Sequence, residues 1–322
     1  MATSFGSGLI CGFRLAPPAA FDEAPAEQQP LPEPHWLHFN LSDSRARAWL
    51  QGRGDVPEEA RDLLLGTDQR IHVQLLDGGF AAVLGDLYHD FDHDPERLGS
   101  LRLYVDAKLL LTGRTHPLRS VDVLRREVGR AGDPLTPIAL LSLLIERLAD
   151  SQVRVTAELG EQVDNAEDRI LEGKHAGQGT PLGNLRRLVA RLRRMVGANR
   201  SALGMLPATL PGVYDAEQRA TLRSAVEQLD AVGQDLDLVQ ERARLLQEEI
   251  AARVGEATNR NLFVLSIATT TLLPITLITG IFGMNLQGLP FAQSPHGFYF
   301  VMGGIVATVL LALSLLRRIG AL

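Results

Sequence analysis

From Asn261 to Leu316 the chain has no Asp, Glu, Lys or Arg, although 22% of its 322 residues are charged. A charge-free stretch of that length excludes an ordinary water-facing segment and is a membrane signature. Cysteine is nearly absent. Cys11 is the only one, which excludes an internal disulfide and a multi-thiolate zinc site and suits a reducing compartment. The first 13 residues lack a basic n-region and are followed by Pro17 and Pro18, which is not the pattern of a secretory signal. No proline lies between Pro211 and Pro274, so nothing there forces a helix to break. No nucleophile–base pair or cofactor motif stands out, which argues against an enzyme; Gly6-x-Gly8-x-x-x-Gly12 misses the dinucleotide spacing and opens no helix. A basic excess is missing as well. The net charge is −6, and Arg317 and Arg318 are the only charges after Asn261, so residues 1–260 carry −8 (−6 less +2). That argues against a nucleic-acid partner.

The charge-free stretch divides in two. Leu262–Phe282 gives 21 mainly apolar residues and Gly297–Leu316 gives 20, each a helix of roughly 30 Å, the thickness of a bilayer core. The 14 residues between them, 283–296, are rich in Gly, Pro, Asn and Gln, so the pair reads as a membrane hairpin. Arg253 and Arg260 precede the first span and Arg317 and Arg318 follow the second, while the connection has no Lys or Arg. The positive-inside rule puts both ends of the chain and its soluble part in the cytoplasm, which predicts a multi-pass inner-membrane protein. Two helices cannot enclose a pore, so transport requires several copies in the lipid bilayer.

Residues 16–34, rich in Pro, Ala and Glu, read as a loop. Strands are predicted over Trp36–Leu41, Ile71–Leu76, Phe80–Leu87, Leu101–Val105 and Lys108–Thr112, with short helices over Ser44–Gln51 and Pro57–Leu65. Residues 1–120 are therefore expected to form an α/β cytoplasmic domain. A helical region is expected over 121–212, a long stalk helix over 213–260 and a two-helix transmembrane pore region over 261–322. Thr136-Pro137 opens a helix that runs to about Glu172 and is largely acidic. After a glycine-rich turn, Gly173–Gly183, the next helix (Leu185–Leu206) carries Arg186, Arg187, Arg191, Arg193, Arg194 and Arg200 and no acid. An antiparallel hairpin of opposite charge is the expectation. Asp215 and Gln218 resemble a capping box. From Leu222 to Val254 apolar residues recur at three and four, a packing seam expected to hold copies together.

On the first span Asn259, Leu262, Ser266, Thr269, Leu273, Thr276 and Gly280 step by three or four and share one face. Hydroxyls there are candidates to line a pore with the leucines as apolar constrictions; the alternative is that they bond back to the helix or pack between helices. Gly283-Met284-Asn285 follows where the span ends, and the Asn285 amide oxygen suits the water shell of a hydrated cation. At these residues the chain resembles the CorA superfamily of divalent-cation transporters. The resemblance implies a homopentamer whose first span lines the pore and whose Gly283-Met284-Asn285 forms the outer entrance. It places Thr276 in a polar ring, Leu273, Leu265 and Leu262 in hydrophobic gates, and Asn259 at the inner end. Trp36-Leu37-His38-Phe39-Asn40 and Leu101-Arg102-Leu103-Tyr104-Val105, with Leu109-Leu110-Leu111-Thr112, look more like the ZntB zinc-transporter branch.

The loop after the motif, Leu286-Gln287-Gly288-Leu289-Pro290-Phe291, has no carboxylate, which disfavours tightly hydrated Mg²⁺. The expected cargo is Zn²⁺, with Mg²⁺, Co²⁺, Ni²⁺ and Cd²⁺ as alternatives and no resident cofactor. Proton coupling is implied by the resemblance, yet the spans hold no carboxylate or histidine to relay a proton. His89-Asp90-Phe91-Asp92-His93-Asp94 is the one metal-like cluster. Its residues His89 and His93, and His296 beside the second span, are candidate ligands, with a solvated polar loop as the plain reading. A membrane-anchored coiled-coil scaffold is the alternative from another class. A tether, however, needs no hydroxyl-lined face.

Overall fold

The computed structural model describes residues 8–21, 31, 33–90, 98–130, 132–172, 179–284, 290 and 295–318. The chain forms two compact units, Met1–Gln247 and Glu248–Leu322. The first begins with β1 (Leu9–Leu15), β2 (Pro18–Phe21), β3 (His35–Asn40), α1 (Ser44–Gly52), α2 (Glu58–Leu65), β4 (His72–Leu76), β5 (Gly79–Leu87), β6 (Leu98–Asp106) and β7 (Leu109–Arg114). Helices follow: α3 (Arg119–Val128), α4 (Pro137–Leu171), α5 (Gly179–Gly204), the short α6 (Leu206–Thr209), α7 (Ala216–Phe282) and α8 (Gly297–Arg318). The strands make one seven-stranded sheet in the order β2-β1-β3-β7-β6-β5-β4. Only β3 and β7 run parallel; every other pairing is antiparallel.

Local chemistry sets the turns. Gly78 supplies the left-handed residue (φ 74°) between β4 and β5. Asp106 accepts from the backbone N–H of Lys108 (2.7 Å) and Leu109 (2.8 Å), closing the β6–β7 hairpin. Thr136 accepts from Ala139 N (3.2 Å) to start α4, with Pro137 in the first turn. The predicted capping box forms: Gln218 N donates to Asp215 Oδ1 (2.8 Å), and Asp215 N donates to Gln218 Oε1 (3.1 Å).

One sheet face carries Leu37, Phe39, Leu109 and Leu111 against Ala46, Trp49, Leu50 and Leu64 of α1 and α2. The other carries Phe13 stacked on Trp36 at 5.4 Å. There Thr112 Oγ1 accepts from Trp36 Nε1 (2.8 Å) and bonds His38 Nδ1 (2.8 Å). Two consecutive residues of β5 tie helices to the sheet. Beyond the last β4–β5 pair, His72 with Val83, Gly85 bonds a side chain instead of a strand: its N–H reaches Asn199 Oδ1, and Asn199 Nδ2 reaches its carbonyl, both at 2.8 Å. Next to it, buried Asp86 accepts from Leu87 N (2.7 Å), Ser120 N (3.3 Å) and the Ser120 hydroxyl, anchoring the start of α3.

Burial pushes the Asp86 carboxyl up to about 6, against the pull of Ser120 and Leu87. A folded pKa above the unfolded value contributes stability that is complete below about pH 4 and is lost as pH rises through about 6. A rise of this size corresponds to roughly 2–3 kcal/mol. Asp86→Asn is expected to remove that component. Melting of the purified protein between pH 4 and pH 7 checks it, and an unchanged slope counts against the assignment.

Two expectations need correction. Residues 16–34 are not one loop: Pro18–Phe21 is a strand held on β1, with Phe13 opposite Ala20. The glycine-rich turn is shorter than 173–183, because α5 already begins at Gly179. Two of the α5 arginines reach acids on α7. Arg193 pairs with Asp237 and Arg200 with Asp230, both on α7, while Arg242 of α7 reaches Asp164 and Glu167 of α4. Both helices of the hairpin are thus tied to α7.

Candidate ion pathway

The apolar seam of α7 is already covered within the chain. Leu222, Val226, Leu229, Val232, Leu236, Val239, Ala243 and Leu246 are buried, while Val254 is exposed. Most of the seam read from the sequence therefore cannot hold copies together. Two leucines on another face are open to contact: Leu238 is 61% exposed and Leu245 is 52% exposed. The signal for them lay in the sequence. Counting back by seven from Gly280 gives Leu273, Ser266, Asn259, Ala252, Leu245 and Leu238; from Thr276 it gives Thr269, Leu262, Gly255, Glu248 and Glu241. The stronger buried pattern beside it hid this series.

Two of the described helices are long and apolar enough to cross a membrane, α8 and α7 through its C-terminal part. Asn259, Leu262, Leu265, Ser266, Thr269, Leu273, Thr276 and Gly280 are all exposed in the single chain. At 100° per residue they fall within an arc of about 120°. The partly shielded residues of the same stretch, Phe263, Ile267, Thr271, Pro274, Ile275, Ile278 and Phe282, lie on the other side. Among the described residues the polar arc thus lies within the broader exposed side of the helix, which also carries Leu272, Leu277 and Thr279.

Its hydroxyls bond backward. Thr269 Oγ1 donates to Leu265 O (2.8 Å) and Thr276 Oγ1 to Leu272 O (3.0 Å) and Leu273 O (2.9 Å). That is the plain reading of such residues, and it does not remove them from a pathway. With the proton committed to the helix, the oxygen lone pairs remain to accept from the water of a hydrated cation. Pro274 sits inside the helix and has no N–H for the carbonyl of Thr270.

The helix ends at Phe282, and Gly283 N still reaches Thr279 O at 2.9 Å. A Cβ on Gly283 would stand 3.1 Å from that carbonyl, so a small residue suits the exit. Met284 N follows with a bond to Ile281 O (3.3 Å). Asn285 lies outside the described residues, as do His93 and most of the loop to Ser294. His296 opens α8, its carbonyl accepting from Tyr299 N (3.1 Å) and Phe300 N (3.3 Å). Exposed Phe298, Tyr299 and Phe300 follow, as aromatic residues do at a membrane–water boundary.

The cytoplasmic candidate is engaged otherwise. His89 Nδ1 lies 3.1 Å from Asp122 Oδ2, and Arg114 reaches the same oxygen at 3.5 Å. Among the described residues no group of three or more His, Cys, Asp or Glu is placed to hold a metal. Burial pushes the Cys11 thiol up to about 12 in spite of Arg125 and Arg114, so it stays protonated and is a poor metal ligand.

A mixed α/β unit, one helix of 67 residues and two helices apolar enough to cross a membrane fit a membrane protein. The chain belongs to the family of the CorA-like Mg²⁺ transporter protein, which matches residues 33–318. It is a divalent-cation transporter and not an enzyme. It is 29% identical over 267 residues to the zinc transport protein ZntB of Yersinia enterocolitica, covering 83% of this chain and 81% of that one. To the divalent cation transporter CmaX of Pseudomonas aeruginosa it is 29% identical over 283 residues, 85% of each chain. The full-length CmaX structure superposes with a TM-score of 0.82 at 27% identity, over 97% of this chain and 98% of that one. The CorA magnesium transporter of Methanocaldococcus jannaschii shares the fold, with a TM-score of 0.79 at 18% identity over 96% and 97%.

Proposed function

We propose that this chain is one subunit of a homopentameric pore that imports divalent transition-metal ions, zinc foremost, across the inner membrane with both chain ends in the cytoplasm. The observation that carries the reading is the uncovered arc from Asn259 to Gly280, which alternates hydroxyls and leucines without a formal charge. A lone helix would leave Asn and hydroxyl groups against lipid. Several copies around an axis turn them toward water. Asn285 forms the outer ring, Thr276 and Thr269 deeper oxygen rings, and Leu273, Leu265 and Leu262 the apolar constrictions.

Leu238 and Leu245 supply apolar contact between copies, and Glu241 and Glu248 extend the seven-residue series as carboxylates. Arg244 bonds Glu241 at 2.7 Å and holds its carboxyl below the usual range, so it stays ionised.

The zinc assignment rests on the loop without a carboxylate and on the likeness to a zinc transport protein. Magnesium is the second reading, favoured by the description of the matching family. Side-by-side uptake of radioactive zinc and magnesium into liposomes, with and without a pH gradient, separates them. Zinc uptake in excess of magnesium is the expected result, and magnesium uptake alone overturns the assignment.

A further inference from the structure

On α7, Asp237 bonds α5 and Arg242 bonds α4. These residues are five positions apart, or about 140° round the helix, so α5 and α4 flank α7 on different sides. Each flanking helix turns a charged row outward. On α5, Arg187 and Arg194 are exposed, and on α4, Glu161 and Asp168 are exposed. Among the described residues Glu161, Asp168 and Arg194 have no ion-pair partner, and Arg187 bonds only the Asn184 amide. Both rows span seven residues, about 10 Å.

The rows also stand at one height. Arg186 meets Gln247, Arg193 meets Asp237 and Arg200 meets Asp230, so the cationic row starts beside Gln247 and ends just past Asp237. On the other flank, Gly160 packs near Val239, and Asp164 meets Arg242, which places the acidic row over the same stretch. Along α7 the α4 contacts ascend while the α5 contacts descend. Asp168 is therefore level with Arg187, and Glu161 with Arg194. One further step of seven puts Arg154 level with Ser201, so no like-charge pair arises.

Cyclic symmetry rotates one copy onto the next without translation along the axis, so head-to-tail patches must match at equal height. The geometry points to such a contact: Arg187 and Arg194 on α5 of one copy dock against Asp168 and Glu161 on α4 of the next. This interface rests on the ring reading above and adds the pairing that sets the order of copies around it. A surface of this kind gives register and specificity more than raw affinity.

The test uses the full chain in detergent, with native mass spectrometry at low and high ionic strength and circular dichroism as the folding control. Arg187→Glu with Arg194→Glu is one variant, and Glu161→Arg with Asp168→Arg is the other. Each double variant is expected to lose roughly half or more of the assembled species at low ionic strength, where surface pairs are least screened. All four changes together should restore assembly, because the pairs are remade with opposite sign. Double variants that assemble like the wild type, or a quadruple variant no better than either, overturn the interface while leaving the ring intact. A wild-type chain that runs as a monomer removes both the interface and the ring.

Discussion

Asn285→Ala is expected to cut zinc uptake by about tenfold to a hundredfold, the worth of one hydrogen bond to a charged or strongly polarised partner. Assemblies of unchanged size should remain. Helix α7 stops at Phe282, and Gly283 and Met284 follow it, so in the proposed pore the amide next in sequence belongs to the outer entrance. The loop behind it holds no carboxylate to replace that acceptor. A ring of copies loses all its acceptors through one substitution. Gln287→Ala should do much less, since it lies two residues further from the helix end. Thr276→Val keeps the shape of the side chain and removes a deeper oxygen ring, so it should also lower uptake. Wild-type uptake by Asn285→Ala, from equal amounts of assembled protein, contradicts this placement of the entrance.

Leu238→Asp combined with Leu245→Asp should disperse the assembly and abolish transport with it. These leucines are more than half exposed in the single chain, so a charge there leaves the fold of one copy in place. In the proposed ring the same positions would bury apolar surface worth about 1–2 kcal/mol per leucine, and the substitution would bring like charges together around an axis. Leu236→Asp is the contrasting control. Leu236 is fully buried, and a charge at that site should unfold the chain instead of separating copies. Size-exclusion chromatography with circular dichroism distinguishes the two outcomes. An assembly of native size with both exposed leucines replaced means that the copies meet elsewhere.

The two apolar C-terminal helices and the long helix were legible because their signals are local. A run without charge, a spacing of three and four, and a capping pair at Asp215 and Gln218 need no knowledge of distant residues. The mixed sheet was legible in part for the same reason, through Asp77-Gly78 and the strands on either side. What the sequence withheld was partnership. Pro18–Phe21 is a strand only because β1 lies beside it, and β1 is ordered by β3, where Phe13 meets Trp36. Periodicity showed that α7 has an apolar face but not that α4 and α5 already cover it. Opposite charges on α4 and α5 suggested partners for each other, but did not reveal the pairs that both helices make with Arg242, Asp230 and Asp237 of α7. Asn199 bonding Gly85, and Ser120 bonding Asp86, join residues 114 and 34 positions apart, which no local pattern encodes.

The uncovered arc of α7 as the wall of the conducting path is tested most directly by cysteine accessibility. The chain has a single cysteine, Cys11, so Cys11→Ser gives a background without thiols. Into it go Thr269→Cys and Thr276→Cys on the arc, and Ile267→Cys and Ile278→Cys on the shielded side. A water-soluble thiol reagent should block cation uptake through the first two variants and leave the last two unaffected. Block at Ile267→Cys or Ile278→Cys, with none at Thr269→Cys or Thr276→Cys, would place the path on the other side of the helix.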